Sequence, residues 1–161
     1  MAKNAVKVKD NGLAKLLSTV KRKVLAATKG APKRIEVGVL GPKASKKHKG
    51  SQVTVSDIAG FQEFGTKAIP KRPFISGWFD QVGKVALPAV LQAAAKKLLA
   101  GKIDNDKFLK ILGNFGVGGI QKYIASGLKP ALAPPTIARK GSSTPLIDTG
   151  ILRSSITFRA V

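Results

Sequence analysis

Apolar residues recur at helical spacing near the amino terminus. The spacing of three and four positions places them on one stripe of an amphipathic helix. It predicts a helix over about residues 12–28, with Asn11 as its N-cap and Gly30 just beyond its end. The residues of this stripe are Leu13, Leu16, Leu17, Val20, Val24 and Leu25.

The pattern then changes to strict alternation. Ile35, Val37 and Val39 alternate with more polar or smaller residues, and Gly41-Pro42 follows. This period of two predicts a half-buried strand that ends at the Gly-Pro pair. Val53 and Val55 predict a second strand, which makes residues 41–52 the long tip of a hairpin. Because this tip is rich in lysine, we expect it to be exposed and mobile.

Helical patterns dominate the middle of the chain. Thr54 and Asp57 have the spacing of a capping box and predict a short helix that ends at Gly65. Pro70 and Pro73 prevent the helix from continuing, and Pro73 suits the first turn of a new helix. That helix is predicted from about Phe74 to Leu99, with a kink or a break at Pro88, and Asp104 then caps a further helix.

The last part of the chain is rich in Pro, Ser, Thr and Gly. Residues 128–147 predict an extended arm with a short turn of helix near residues 136–139. A helical turn over residues 149–153 and a strand with alternating Ile156, Phe158 and Ala160 close the chain. Short strands separated by several helices predict a single α+β domain over residues 1–161, with a small antiparallel sheet packed with helices.

Composition narrows the chemistry. The chain has 29 Lys and Arg against 8 Asp and Glu, no cysteine, and His48 as its only histidine. A disulfide framework and a Cys-based metal site are excluded, and we expect no metal site and no cofactor. No base lies near a nucleophile in sequence, so we expect no catalytic residues and no enzymatic activity. No apolar run has the length of a membrane span, so we expect no membrane partner.

Two further features each have two interpretations. The glycine cluster at residues 113–119 fits no phosphate-binding spacing and indicates close helix packing or a flexible joint. The net charge of +21 favours polyanions as partners without implying sequence specificity. The positive charge is densest in the basic loop at residues 41–52. This loop is either a solvated loop or a contact for DNA phosphates or an acidic partner. The lysines of this basic loop are Lys43, Lys46, Lys47 and Lys49.

Two segments carry a recognisable combination of motifs. Residues 63–74 read EFGTKAIPKRPF, and residues 134–159 read PPTIARKGSSTPLIDTGILRSSITFR. Together they resemble the paired signatures of the tailed-bacteriophage virion-morphogenesis, or tail-completion, proteins. The matching residues of the first are Glu63, Phe64, Gly65, Thr66, Ile69, Pro70, Arg72, Pro73 and Phe74. Those of the second are Thr136, Lys140, Gly141, Pro145, Leu146, Asp148, Thr149, Gly150, Leu152, Ser155 and Ile156.

The resemblance implies a structural virion protein that acts without catalysis. Such a subunit forms a homo-oligomeric ring at the head-to-tail junction or the top of the tail, and it contacts other neck, portal-adaptor and tail proteins. It is located in the virion, and in the host cytoplasm during assembly. The alternative is a basic protein that binds DNA or RNA without sequence preference, and it depends on the net charge and the basic loop alone.

The resemblance also suggests roles for individual residues. Phe64 and Phe74 are expected to anchor the proline loop between two helices, and Arg72 to pair with a carboxylate of the same or the next subunit. Asp148 and Thr149 are expected to cap the last helical turn. Leu152 and Ile156 are then expected to face the core.

Overall fold

The fold is α+β, with one two-stranded antiparallel sheet and several helices among the described residues. The computed structural model describes residues 18–19, 22, 34–47, 51–140, 146 and 150–161. Most of the predicted amino-terminal helix therefore lies outside the described residues. Ser18, Thr19 and Arg22 are described, and all three are helical.

The sheet joins the two ends of the described domain. Strand β1 (Ile35–Val39) pairs with strand β2 (Ile156–Ala160), and Val37 lies opposite Phe158. Both strands were predicted, but the expected strand at Val53 and Val55 was wrong. The capping box at Thr54 draws Val55 into a helix, because it satisfies the backbone donors of the first helical turn. An isolated bridge between Lys47 and Thr54 is what remains of the predicted hairpin.

Two helices follow. Helix α1 (Val55–Phe64) begins at the Thr54–Asp57 capping box and ends at Gly65, as predicted. Helix α2 consists of Ser76–Trp78, a π-helical turn at Phe79–Gly83, and Lys84–Leu99. It begins after Pro73 rather than with it. It also continues through Pro88. Pro88 has no N–H to donate to the carbonyl of Lys84, and the π-helical turn ends just before Lys84.

Helix α3 (Asn105–Ala125) packs against both strands through its glycines, and Asp104 caps it as predicted. A Cβ atom added at Gly113 would lie 2.3 Å from the Phe158 ring, and one at Gly119 would lie 2.4 Å from the Trp78 indole. Gly116 faces Val37 in the same way, at 3.0 Å. The glycine cluster is therefore a surface for close packing, as the first of its two interpretations held, within an unbroken helix.

Two short helices complete the described chain. Helix α4 (Pro134–Lys140) contains the predicted turn near residues 136–139, and helix α5 (Ile151–Ser155) leads directly into β2. The core lies between α1, the start of α2, α3 and α5. Its buried apolar residues are Val55, Ala59, Phe74, Trp78, Ile120, Ile124, Leu128, Leu152 and Ile156.

Candidate functional site

The first signature segment forms a buried polar junction around Glu63. One carboxylate oxygen accepts hydrogen bonds from the backbone N–H groups of Phe74 (2.8 Å) and Ile75 (3.0 Å). The other accepts from the backbone N–H (2.9 Å) and the hydroxyl (2.6 Å) of Ser76. Since the first N–H groups of a helix have no partner within it, Glu63 of α1 caps the start of α2.

The environment of Glu63 favours its charged form. Glu63 is only 7% exposed, and burial alone would raise the pKa of its carboxyl group. The hydrogen bonds from the Ser76 hydroxyl and from the backbone of Ile75, Ser76 and Phe74 outweigh this effect, so the pKa of Glu63 lies below its ordinary value. Both carboxylate oxygens of Glu63 thus accept hydrogen bonds from its own chain and stabilise the fold.

Arg72 is the second buried charge of the junction, at 4% exposure. Its Nε donates to the carbonyl of Pro130 (2.7 Å), and its two terminal nitrogens donate to Ala131 O (3.2 Å) and Gln62 Oε1 (3.3 Å). Among the described residues Arg72 has no carboxylate partner, and its expected pairing with a carboxylate of the next subunit stays a prediction. The carbonyls are better placed because the chain after Leu128, which is itself buried, runs across the guanidinium.

The segment between α1 and α2 is a compact turn. Thr66 N–H donates to Ile69 O (2.8 Å), and the Thr66 hydroxyl accepts from the N–H groups of Ala68 and Ile69. Gly65 has φ +77°, and a Cβ atom there would lie 3.1 Å from Lys71 N. Glycine is thus favoured at Gly65 by both conformation and space. Pro70 and Pro73 lie in the same segment, outside the helices.

The two phenylalanines of the first signature have opposite environments. Phe74 is fully buried in the core, as expected. Phe64 was expected to anchor the proline loop, but that expectation was wrong, because its side chain is 78% exposed. As the last residue of α1, it lies at the rim of an open groove rather than between two helices.

This apolar groove has a volume of about 830 Å³. Strand β1, helix α1, the first turns of α2 and helix α3 form its walls. Trp78 contributes to it and stacks at a tilt against Phe115, with ring centroids 5.6 Å apart. Its lining is mainly apolar, with Lys71, Glu63, Ser56 and Ser76 as the polar contributors.

The second signature meets the first in the core. Leu152 and Ile156 are buried in the same cluster as Phe74, as expected, and Ser155 is buried with its hydroxyl bonded to Leu152 O (2.6 Å). Leu146 packs against the same cluster. The N-cap of α5 is Gly150, with φ +71°. Pro145, Asp148 and Thr149 lie outside the described residues, and so does the expected cap by Asp148 and Thr149.

The basic loop is held at its base. Ala44 is buried, and its carbonyl accepts from both the N–H (2.9 Å) and the hydroxyl (3.0 Å) of Ser56 in α1. Lys43, Lys46 and Lys47 are exposed, as expected. Lys49 and His48 lie outside the described residues. Lys43 donates to Ser154 O and Lys47 to Gln52 Oε1, and among the described residues none of the three amines pairs with a carboxylate.

An exposed apolar stripe follows one face of α2. Its members recur at intervals of three and four, and Val85 is 74% exposed. Leu87 of the same helix lines the groove, two positions and about 200° around the helix from Val85. The stripe therefore faces away from the groove. We define this solvent stripe as Val82, Val85, Ala89 and Ala93.

Sequence reasoning missed the solvent stripe and the groove for different reasons. A signal for the stripe exists, because α2 carries apolar residues on more than one face, and a helix of that kind has more than one contact surface. Trp78 is in the core, while Phe79 is partly exposed at the groove. The groove itself has no local signal, since its walls come from segments far apart in sequence.

Among the described residues, no group of His, Asp and Glu side chains has the arrangement of a metal site. Within the same part of the chain, no helix is long and apolar enough to cross a membrane. Comparison of the whole sequence and of the structure with known proteins found no matching family model, curated protein or solved structure.

Proposed function

We propose that this chain is a structural subunit of a tailed-phage virion, a neck or tail-completion protein that forms a ring at the head-to-tail junction and acts without catalysis. The hypothesis comes from the resemblance of residues 63–74 and 134–159 to the paired signatures of that family. The observation that carries it further is the solvent stripe of α2, an apolar helix face that the described monomer leaves uncovered.

The buried signature residues do not themselves distinguish a ring subunit from a monomer. Glu63, Arg72, Phe74 and Ile156 direct their contacts into their own chain, and a monomer requires them equally. The solvent stripe is different. Its apolar residues are in contact with water along several turns of the helix, and a partner that covers them lowers the free energy of the system. A second copy that covers the stripe with a different surface makes a heterologous contact, and such contacts form a ring when the rotation between successive copies closes.

The remaining partners follow from the same proposal. Other neck, portal-adaptor and tail proteins contact the faces of the ring, and the subunit is located in the virion after assembly in the host cytoplasm. The amines of Lys43, Lys46 and Lys47 pair with no carboxylate in the part of the chain that the structure describes, and the loop suits either packaged DNA or an acidic protein surface.

The test is the oligomeric state of the purified protein, with Val85→Glu as the key variant. Light scattering and negative-stain micrographs are expected to show rings for the unaltered chain and a smaller species for Val85→Glu. Asn114→Glu is the matched control, because Asn114 is an exposed polar residue of α3 and the charge change is identical. Rings of unchanged size in Val85→Glu, or a monomer that forms no ring with virion components, would overturn the proposal.

The basic loop supports non-specific nucleic-acid binding as a second candidate function. Each phosphate contact by a lysine contributes about 0.9 to the slope of log affinity against log salt. Replacement of Lys43, Lys46 and Lys47 by Gln is therefore expected to flatten the slope for random duplex DNA by about 2–3. Replacement of Lys96, Lys97 and Lys102, which are exposed elsewhere, is the control of equal charge. Equal slopes for the two triple variants would exclude the loop as a phosphate contact.

A further inference from the structure

The apolar groove has the form of a seat for a helix. Its walls come from four elements, and the side chains of Ile35, Val37 and Val39 supply one of them along the whole of β1. Phe64 and Phe79 stand at the groove with 78% and 46% of their surfaces exposed. An amphipathic helix that lays its apolar face in such a groove buries these rings, which is a common mode of helix recognition.

The sequence itself predicts a helix of suitable pattern outside the described core. The amino-terminal stripe over residues 13–25 is predicted from spacing, and Ser18, Thr19 and Arg22 within it are helical. Ser18 and Arg22 are exposed. Each lies two positions, or about 200° around a helix, from a member of the stripe, Leu16 or Val20. Ser18 and Arg22 are thus on the polar face that an amphipathic helix turns to water, and Thr19 is half-buried.

The connection to the groove is short. Ile35 is ten positions after Leu25, and ten residues of extended chain span at most about 33–36 Å. Ile35 is both the first residue of β1 and a residue of the groove wall. Because a short tether holds its ends at a local concentration of the order of millimolar, the same chain has an advantage over a second copy as the source of the helix.

We propose that residues 13–25 dock in the apolar groove of their own chain, with Leu13, Leu16, Leu17, Val20 and Val24 directed into it. Apolar burial is the driving force. Lys71 and Glu63 are the charged residues of the lining, and both oxygens of Glu63 are already occupied by α2. This contact goes beyond the proposed ring, since it uses the groove and leaves the solvent stripe free for a neighbouring subunit.

Cysteine cross-linking tests the contact directly, because the chain has no cysteine of its own. Gly60 lines the groove, and a Cβ atom added there meets nothing within 4 Å. In a Val85→Glu background, a short bis-maleimide is expected to join Gly60→Cys to Val20→Cys within one chain. The yield is expected to be several-fold higher than for Gly60→Cys with Arg22→Cys, which is on the opposite face. Equal yields would overturn the docking, and a product of dimer mass would overturn the assignment to the same chain.

A second measurement uses an apolar dye that fluoresces when it binds an uncovered apolar groove. Val20→Asp is expected to increase dye fluorescence several-fold, while Ser18→Asp, of equal charge change at an exposed position, leaves it unchanged. Circular dichroism and a cooperative thermal transition check that the rest of the fold is retained. No difference between the two variants would contradict the proposal. Because the cross-link is read in the Val85→Glu background, loss of the ring and loss of the docked helix give distinguishable results.

Discussion

The polar junction at Glu63 and the solvent stripe of α2 adjoin the same long helix, yet they use their residues in opposite ways. At the junction, two charged side chains are buried and each makes three or more hydrogen bonds within the chain. Along the stripe, apolar residues such as Val85 remain in water. The difference teaches that Glu63 and Arg72 of the first signature stabilise the monomer, whereas the proposed partner surface consists of apolar residues outside that signature.

The sharpest test of this comparison is Glu63→Ala. It leaves three backbone N–H groups and a hydroxyl without their acceptor in a buried site, and the free energy of unfolding is expected to fall by about 2–4 kcal/mol. Urea denaturation measures it. Glu36→Ala is the control, because the ion pairs of Glu36 with Arg34 and Arg159 are on the surface and their loss is expected to cost about 0–1 kcal/mol. Equal losses would break the comparison.

The glycine face of α3 offers a matched pair in one helix. Gly119→Ala places a Cβ atom 2.4 Å from the Trp78 indole, and the overpacking is expected to cost about 1–3 kcal/mol. Gly118 has no neighbour within 4 Å of an added Cβ, so Gly118→Ala is expected to stabilise the helix by about 0.5–1 kcal/mol. Thermal unfolding of both variants checks the opposite signs. A gain in stability for Gly119→Ala would contradict the packing described for α3.

Arg72→Lys tests the geometry of the junction rather than its charge. A lysine keeps the positive charge but lacks the planar fork that reaches Pro130 O and Ala131 O together. We expect a loss of about 1–2 kcal/mol in the free energy of unfolding, together with faster amide exchange around Ala131. An unchanged stability would show that charge alone suffices there.

The pH dependence of stability isolates the carboxylate of Glu63. Its folded-state pKa is below the ordinary value of 4.5, so the unfolded chain takes up its proton first as the pH falls. The stabilisation is therefore complete well above pH 4.5 and is lost as the pH falls through the folded-state pKa. We expect unaltered protein to exceed Glu63→Gln in stability at pH 7 and this difference to shrink below pH 4.5. A difference that grows towards acid pH would reverse the sign of the shift.

The smallest effect on monomer stability is expected at the solvent stripe. Val85 is 74% exposed, and a surface substitution such as Val85→Glu changes the free energy of unfolding by no more than about 0.5 kcal/mol. The measurement is made at a concentration where both proteins are monomeric, because assembly itself adds stability. A loss comparable with that of Glu63→Ala would show that the stripe belongs to the monomer, and the two regions would then be alike.

Much of the secondary structure was predictable because its signals are local. The alternation of Ile35, Val37 and Val39 and the capping box at Thr54 each act within a few residues, and both predictions were confirmed. The error at Val55 arose where two local signals compete, since its β-branched side chain suits a strand while its place after the N-cap favours a helix. The cap prevailed because it satisfies backbone groups directly.

The site was less predictable, because its contacts join distant segments. Glu63 meets Ser76 thirteen positions later, and Arg72 meets Pro130 fifty-eight positions later. A residue type and its neighbours in sequence do not indicate such partners. For Arg72 the general preference of a guanidinium for a carboxylate gave no indication of the carbonyls of Pro130 and Ala131, which the fold brings within hydrogen-bond distance.

The sequence by itself determined the α+β class, both strands, the capped helix starts and the absence of disulfides, because periodicity, capping and composition are properties of short segments or of the whole chain. The tertiary structure alone decided that β1 pairs with β2 and that Phe64 and Val85 face water. It also decided that the buried charges of Glu63 and Arg72 make their hydrogen bonds within the chain. Those outcomes depend on which distant segments come into contact when the core of Phe74, Ile124 and Ile156 forms. Local sequence patterns do not specify contacts between distant segments.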